Sequence, residues 1–496
     1  MLFFGLAAPL TAVQVVYAHV FAEAVEENEA LGVGIENRYY GRSLSEDMLK
    51  ADMLQYLNFE QSLQDTVAIQ RQVAEDLGLG DTPWIVFGGS YSAMKAVVHR
   101  MKFPNNFYAA VGSGAALGMQ FDMLEYHGRM AQHLKNPALF GSQTCYETVN
   151  ASFAEVDALI ERGELDKLAD DFNLCKNLNT EMDKHGVGRA IAGRLVNVLY
   201  NHMVVPVMSQ FAMICAPAYT APSPYEALKR ILQLSNVVEK QQGCIDATYA
   251  ATNAPNELWK DGITDWEQYD ANPGNRAWGY EGCAELGFAP DCDRSKGCPI
   301  SGYGFQKVAI QWCKDAYGIS EEQMKAASNK FLSKYGGTKL DNKVTRIFLS
   351  HGETDPGFAY EPHINDESRD LTSVVIPGVG HVVDINSPPP QSMAVVADVR
   401  RKALDKVKEW VEDVRGNSRK DAAATGRYAA LKTIEGSWSS GNAPLAHSDG
   451  GRLAALTQLT IRTTDQLVAA VGHVQRCPLL WPIVEAAPQL RHLEIT

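Results

Sequence analysis

Short continuous apolar runs alternate along this chain with apolar residues at helical spacing, and that alternation predicts the architecture. A short apolar run in "LGVGIENRYYGRSL", residues 31 to 44, ends in an aromatic, glycine-bounded turn and predicts a buried strand with its exit loop. In "YLNFEQSLQDTVAIQRQVAEDLG", residues 56 to 78, Leu63, Val67, Ile69, Val73 and Leu77 fall at near-helical intervals, and Gly78 stands where a helix would stop. "PWIVFGG" follows at once as a second buried strand. Strand, helix, strand is the pattern of a parallel α/β sheet.

From about residue 120 to 330 the texture changes. Helical stretches such as "FAEVDALIERGELDKLADDF" alternate with loops that carry Cys, Pro and Gly, and clear buried strands are absent. This predicts a helical insertion. The sheet pattern resumes in "KVTRIFLSHGETDP" and "LTSVVIPGVGHVVD", and Val396, Val399, Ala403, Val407, Trp410 and Val414 mark a closing amphipathic helix that Gly416 is expected to end. The predicted division is therefore an α/β domain from 1–119 and 331–416, an inserted helical cap from 120–330, and a linker and tail from 417–496. Within that tail "LTQLTI" and "LRHLEI" lie 34 residues apart and share the spacing of leucine-rich fragments, too few to bury a core alone.

The first residues are open to three readings. "MLFFGLAAPLTAVQVVYAHVFA" has no charged side chain before Glu23, which fits a buried strand followed by a helix, a secretory leader without its usual positive start, or a membrane span diluted by Gly5, Pro9, Gln14 and His19. No later stretch reads as a stable membrane span.

Composition narrows the function classes. The chain has 496 residues, and its 45 basic against 59 acidic residues give a net charge of -14, which offers a nucleic-acid partner no electrostatic support. Eight of nine cysteines lie between 145 and 313 without a C-x-x-C pair or a zinc-like Cys/His spacing, which favours four disulfides over a metal and an oxidising compartment over the cytosol. Asn150-Ala-Ser is a single glycosylation sequon. No cofactor is called for.

The chemistry gathers around Ser90. A nucleophile on a sharp strand-to-helix turn needs small neighbours, and Gly88, Gly89, Ser90, Tyr91 and Ser92 fill the G-x-S-x-G pattern with a serine for the last glycine. An α/β-hydrolase orders its triad as Ser, acid, His, with acid and base on loops after late strands. Asp355 follows one apolar strand and His381 follows the next, 26 residues on. His381 would take the Ser90 proton, Asp355 would fix the imidazole, and the Tyr91 backbone N–H would supply half of an oxyanion hole. Glu353 is the alternative acid, and His363, Asp366 and Glu367 read as a solvated loop in preference to a metal site.

"ENRYYGRSL", "FGGSYSAMKAVVHRMKFPNNFYAAVGSGA", "WGYEGCAELGF" and "GVGHVVD" together resemble the blocks of the prolyl serine-peptidase family, which contains lysosomal Pro-X carboxypeptidase, dipeptidyl peptidase II and fungal extracellular serine carboxypeptidases. The resemblance runs from about residue 31 to 416. It implies an α/β-hydrolase fold with a disulfide-bearing helical cap, secretion or lysosomal or vacuolar delivery, and hydrolysis of proline-containing peptides. Ser90, Asp355 and His381 match the nucleophile, acid and base, and Tyr91 the oxyanion position. The resemblance further implies the pairings Cys145–Cys298, Cys175–Cys244, Cys215–Cys283 and Cys292–Cys313. Tyr39, Tyr40, Trp278 and Tyr280 are candidates to line a pocket for the proline ring. Where the family has a glycine-rich oxyanion loop, this chain has Gly5, Leu6 and Ala7. An esterase or lipase with the same triad, an inactive truncated hydrolase that binds partners, and a homodimer are the readings left open beside the peptidase.

Overall fold

The structure is a computed structural model that describes residues 1–4, 19–41, 43, 48, 50–80, 82–200, 207–238, 243–249, 275–385, 394–425, 459–463 and 466–470. Its centre is a sheet of strands β1 (Leu2–Phe4), β2 (Gly32–Ile35), β3 (Trp84–Gly89), β4 (Phe107–Ser113), β5 (Ile347–Gly352) and β6 (Leu371–Ile376) in the spatial order β2-β1-β3-β4-β5-β6, all parallel. β3 and β5 are buried along their whole length, as strands covered on both faces must be. The chain runs from β1 out to β2 and returns to the other side of β1 as β3. That reversal opens a crevice at the carboxyl ends of β1 and β3, where ligands of open α/β sheets bind.

Helices cover both faces. The helix Phe59–Asp76 is capped by Asn58, whose side chain accepts from the Gln61 N–H at 2.9 Å, and Gly78 follows it with a φ of +61°. It packs with Tyr91–Lys102 on one face, where Leu63, Val67, Val73, Met94 and Val97 meet the sheet residues Val86 and Leu349. On the other face His19–Glu27 and Ala394–Thr425 bring Phe21, Val25, Val396, Val407 and Trp410 against Phe3, Phe87 and Phe348. Together these elements form an α/β-hydrolase fold.

The opening residues contribute a central strand, β1, and the helix His19–Glu27, so the strand-and-helix reading describes both ends of that stretch. Residues 5–18, including Gly5, Leu6 and Ala7, lie outside the described residues. Among the described residues no helix is long and apolar enough to cross a membrane. Gly416 does not stop the closing helix, which continues to Thr425. The glycine keeps a negative φ there, and "NSRKDAAAT" beyond it is composed largely of residues a helix accepts, against about 1 kcal/mol lost at one internal glycine. The expected linker is thus partly helix. The tail also adds β7 (Leu459–Thr463) and β8 (Gln466–Ala470), with β7 antiparallel to β2 and β8 antiparallel to β7. β7 overlaps "LTQLTI"; "LRHLEI" lies outside the described residues.

Between β4 and β5 the chain is mainly helical. Gln143–Glu161, Leu165–Phe172, Glu181–Tyr200, Val207–Thr220 and Pro224–Val238 surround a separate apolar cluster that includes Phe153, Ile160, Leu168, Ile191 and Phe211. Four disulfides tie this region: Cys145–Cys215, Cys175–Cys244, Cys283–Cys313 and Cys292–Cys298. Cys175–Cys244 is the expected pair. The expected Cys145–Cys298, Cys215–Cys283 and Cys292–Cys313 are corrected, because a bridge follows Cα proximity and helix packing decides which thiols are near. The helix Gln143–Glu161 packs along Val207–Thr220, which leaves the Cα atoms of Cys145 and Cys215 5.0 Å apart. Cys292 and Cys298 close a tight loop around the turn Arg294–Lys296, where Gly297 adopts a φ of +89°.

Asn150 sits inside the helix Gln143–Glu161, half-buried, and its amide oxygen accepts from Arg294 Nη2 at 3.0 Å. A glycan there would have to leave that contact in place.

Peptide mapping under non-reducing conditions should recover the four observed pairs and no Cys145–Cys298 fragment. Loop length ranks their contributions. Replacing both cysteines of the 70-residue Cys145–Cys215 loop with serine should cost about 4 kcal/mol in denaturant unfolding, against about 2 kcal/mol for the six-residue Cys292–Cys298 loop.

Candidate active site

Ser90 stands between β3 and the helix Tyr91–Lys102, with φ 58° and ψ -128°. A side chain held in that region is strained, and the surroundings have to impose it. The Ser90 N–H donates to the Ser113 carbonyl of β4 at 2.8 Å. A Cβ on Gly88 would stand 2.2 Å from the Ser92 carbonyl oxygen, so only glycine lets the strand pass the helix so closely. Ser92, in place of the last glycine, is fully buried within this turn.

Asp355 leaves β5 on a loop fixed by backbone bonds from Thr354 N–H to Val379 O at 3.0 Å and Asp355 N–H to Gly352 O at 3.1 Å. Its Oδ2 meets His381 Nδ1 at 2.5 Å, and its Oδ1 accepts the Gly357 N–H at 2.7 Å. His381 Nε2 lies 2.8 Å from Ser90 Oγ. Glu353, the alternative acid, faces elsewhere: its Oε2 accepts the Gly378 N–H at 2.8 Å and shapes the turn after β6. Gly114 makes room for the ring, since a Cβ there would press to 2.9 Å from Val382 and 3.1 Å from His381 Cε1. Three residues beyond His381, Asp384 accepts from Ser113 Oγ at 2.5 Å and from Ser350 Oγ, which moors the histidine loop to the ends of β4 and β5.

These contacts set the charges. Burial disfavours the imidazolium, but the Asp355 carboxylate outweighs it, with help from Asp384, and raises His381 above its ordinary value. Burial likewise disfavours the Asp355 anion, while His381 and the Gly357 N–H more than offset that and lower it. The site therefore holds a buried carboxylate, a basic imidazole that is one quarter exposed, and a hydroxyl in one hydrogen-bonded line.

Tyr91 provides the first N–H of the helix behind Ser90, where backbone donors have no acceptor within their own helix. Its ring is buried, and its hydroxyl donates to Glu281 Oε1. Glu281 also accepts from Tyr40 at 2.5 Å. Burial pushes this carboxyl up to about 6, and burial brings the nearby Lys95, bonded to Asn37 and Ser62, down to about 8. Neither Glu281 nor Lys95 stands out in the sequence; the one signal is that Glu281 follows buried Ala277 by a helical turn.

The proposed pocket aromatics divide. Tyr39 and Tyr40 are 3% and 0% exposed, and their hydroxyls are bonded to Met53 O and Glu281, so both are packed into the interior. Trp278 stacks edge-on against Tyr91 at 5.4 Å, which places it beside the elbow, whereas Tyr280 packs on Tyr317. His363 binds the Phe358 carbonyl through Nε2 at 2.8 Å, and Asp366 caps the turn Glu367–Arg369.

Comparisons with known proteins give the family of the chain. The chain is 26% identical to the mouse protein "Thymus-specific serine protease" over 78% of this chain and 75% of that one. It is 24% identical to the bovine "Lysosomal Pro-X carboxypeptidase" over 79% of this chain and 76% of that one. A laboratory-evolved potato epoxide hydrolase superposes with a TM-score of 0.31 and 12% identity over 82% of this chain and 92% of that one. The family described as serine carboxypeptidase S28 matches residues 1–403, and the chain belongs to that family.

Proposed function

We propose that this serine hydrolase is an exopeptidase that cleaves peptide bonds after proline, with Ser90 as nucleophile, His381 as general base and acid, and Asp355 as the residue that orients and stabilises the imidazole. The observation that carries this reading is the line from Ser90 Oγ through His381 to Asp355, at 2.8 and 2.5 Å, on a strained elbow. Ser90 Oγ attacks the scissile carbonyl as His381 Nε2 accepts its proton. The Tyr91 N–H donates to the developing oxyanion. His381 then gives the proton to the leaving amine, and water repeats the sequence to release the acyl group. Trp278, beside Tyr91, is the aromatic surface best placed for a flat proline ring. The bovine relative's name, a Pro-X carboxypeptidase, supports the substrate class, and four disulfides support a secreted or lysosomal setting.

A fluorophosphonate probe should label the protein once, with labelling abolished in Ser90→Ala; labelling that survives there but is lost in Ser92→Ala would move the nucleophile. A blocked Pro-Phe dipeptide should be cleaved in preference to a blocked Ala-Phe dipeptide or a short-chain ester, and the reverse order would favour the esterase reading.

Asp355→Asn should lower kcat by about four orders of magnitude while far-UV circular dichroism stays unchanged. Glu353→Gln should stay within a few-fold of the parent if Asp355 is the acid.

The raised His381 sets the sign of the pH dependence. The imidazolium cannot accept the Ser90 proton, so kcat/KM should fall as pH drops through the His381 pKa, with the acid limb above the ordinary imidazole value near 6.5. A limb below that value would contradict the Asp355–His381 coupling.

A further inference from the structure

A second carboxyl stands behind the triad. Glu361 follows the short turn Phe358–Tyr360, is 1% exposed, and presents its two oxygens to different neighbours. Oε2 pairs with Nδ1 of His351, a fully buried histidine of β5 whose Nε2 meets Ser373 Oγ on β6 at 2.8 Å. Oε1 receives no N–H or O–H among the described residues. A Cβ placed on Gly357 would be 3.1 Å from Asp355 Oδ1 and 3.6 Å from Glu361 Oε1, so this unpaired oxygen is buried beside the Asp355 carboxyl.

Two ionised carboxylates are acceptors only and have no proton to share. A hydrogen bond between the two carboxyls therefore requires one of them to be a neutral acid. Asp355 is in contact with His381 and accepts the Gly357 N–H, both of which favour its anion. Among the described residues no cation is bonded to Glu361 Oε1. The charged groups facing it are Asp355 and Asp384, which oppose its ionisation, and Arg129, which favours it; His351 in turn faces His363 and Asp355. Burial raises Glu361 well above the carboxylate range, and burial lowers His351 to about 3, which keeps the imidazole neutral with Nδ1–H donating to Glu361 and Nε2 accepting from Ser373.

We propose that Glu361 is a positioning residue of the triad, held as a neutral carboxylic acid whose O–H donates to Asp355 and whose other oxygen accepts from His351. The proposal rests on the triad reading above. The donated bond fixes the Asp355 carboxyl against rotation and draws electron density from it, which moderates the pull of Asp355 on the His381 proton. Without that donor Asp355 becomes a stronger base. His381 then holds its proton to higher pH.

The test uses Glu361→Gln, whose amide can donate to Asp355 and accept from His351, and Glu361→Leu, which can do neither. Glu361→Gln should keep kcat/KM within about threefold and leave its acid limb in place, whereas Glu361→Leu should lose about tenfold or more in kcat with little change in KM and shift the limb upward. Infrared difference spectroscopy on the full chain should show the carbonyl stretch of a buried carboxylic acid in the parent and in Ser90→Ala, and lose it in Glu361→Gln. An acid limb that moves down by about half a pH unit in Glu361→Gln identifies an ionised Glu361 and overturns the proposal, as does absence of the infrared band. If Glu361→Leu fails to fold, the glutamine variant and the spectrum decide. Turnover that survives Ser90→Ala overturns the triad reading and with it the positioning role, while the band separately upholds the neutral acid.

Discussion

Strand register is the constraint on which the site depends. Gly89 is level with Ser113, Ser113 with Ser350, and Gly352 with Ile376, so β3, β4, β5 and β6 end along one edge of the sheet. The three loops that leave that edge deliver Ser90, Asp355 and His381 from positions far apart in the chain to one hydrogen-bonded line. A slip of one residue in any of these pairings would turn every side chain of that strand to the opposite face, so the buried β3 and β5 hold these three residues as firmly as they hold the core. Asp384 adds a cross-tie between the histidine loop and two of those strand ends.

Around this edge the protein buries several ionisable groups. Glu281, Lys95, Glu361, His351 and Asp384 are all nearly or fully inaccessible. Burying a charge without partners costs far more than the few kcal/mol by which a domain is stable, so each group is either hydrogen-bonded or shifted toward its neutral form. Glu281 accepts from the hydroxyls of Tyr40 and Tyr91, and Lys95 donates to Asn37 and Ser62. The tyrosine whose backbone adjoins Ser90 is thereby held through its side chain. Rigidity at the elbow is supplied by this polar shell as well as by apolar packing.

How much of this the sequence discloses depends on whether the signal is local. The strands, the helix Phe59–Asp76 and the candidate triad residues are legible because period, turn chemistry and chain order are local or sequential properties. The serine at position 92 is tolerated because the closest approach falls at Gly88. Disulfide partners are a different matter, since the packing of Gln143–Glu161 on Val207–Thr220 chooses Cys215 for Cys145, and nothing in the spacing of cysteines encodes that contact. Glu361 and Glu281 were equally invisible: a glutamate reads as a solvated residue until tertiary structure surrounds it. Gly416 misleads in the opposite direction, because the helix-forming residues after it outweigh one glycine.

The antiparallel pairing of β7 with β2 has a consequence for solubility. Gly32–Ile35 would otherwise present an open row of backbone donors and acceptors along one margin of the sheet, a template on which a second molecule could add a strand. Leu459–Thr463 occupies that margin with the chain's own backbone, and Gln466–Ala470 follows as a short outer strand. The residues far downstream of His381 thus cover that margin against edge-to-edge self-association, and the exposed margin passes from a buried strand of the central sheet to a short antiparallel strand at its rim.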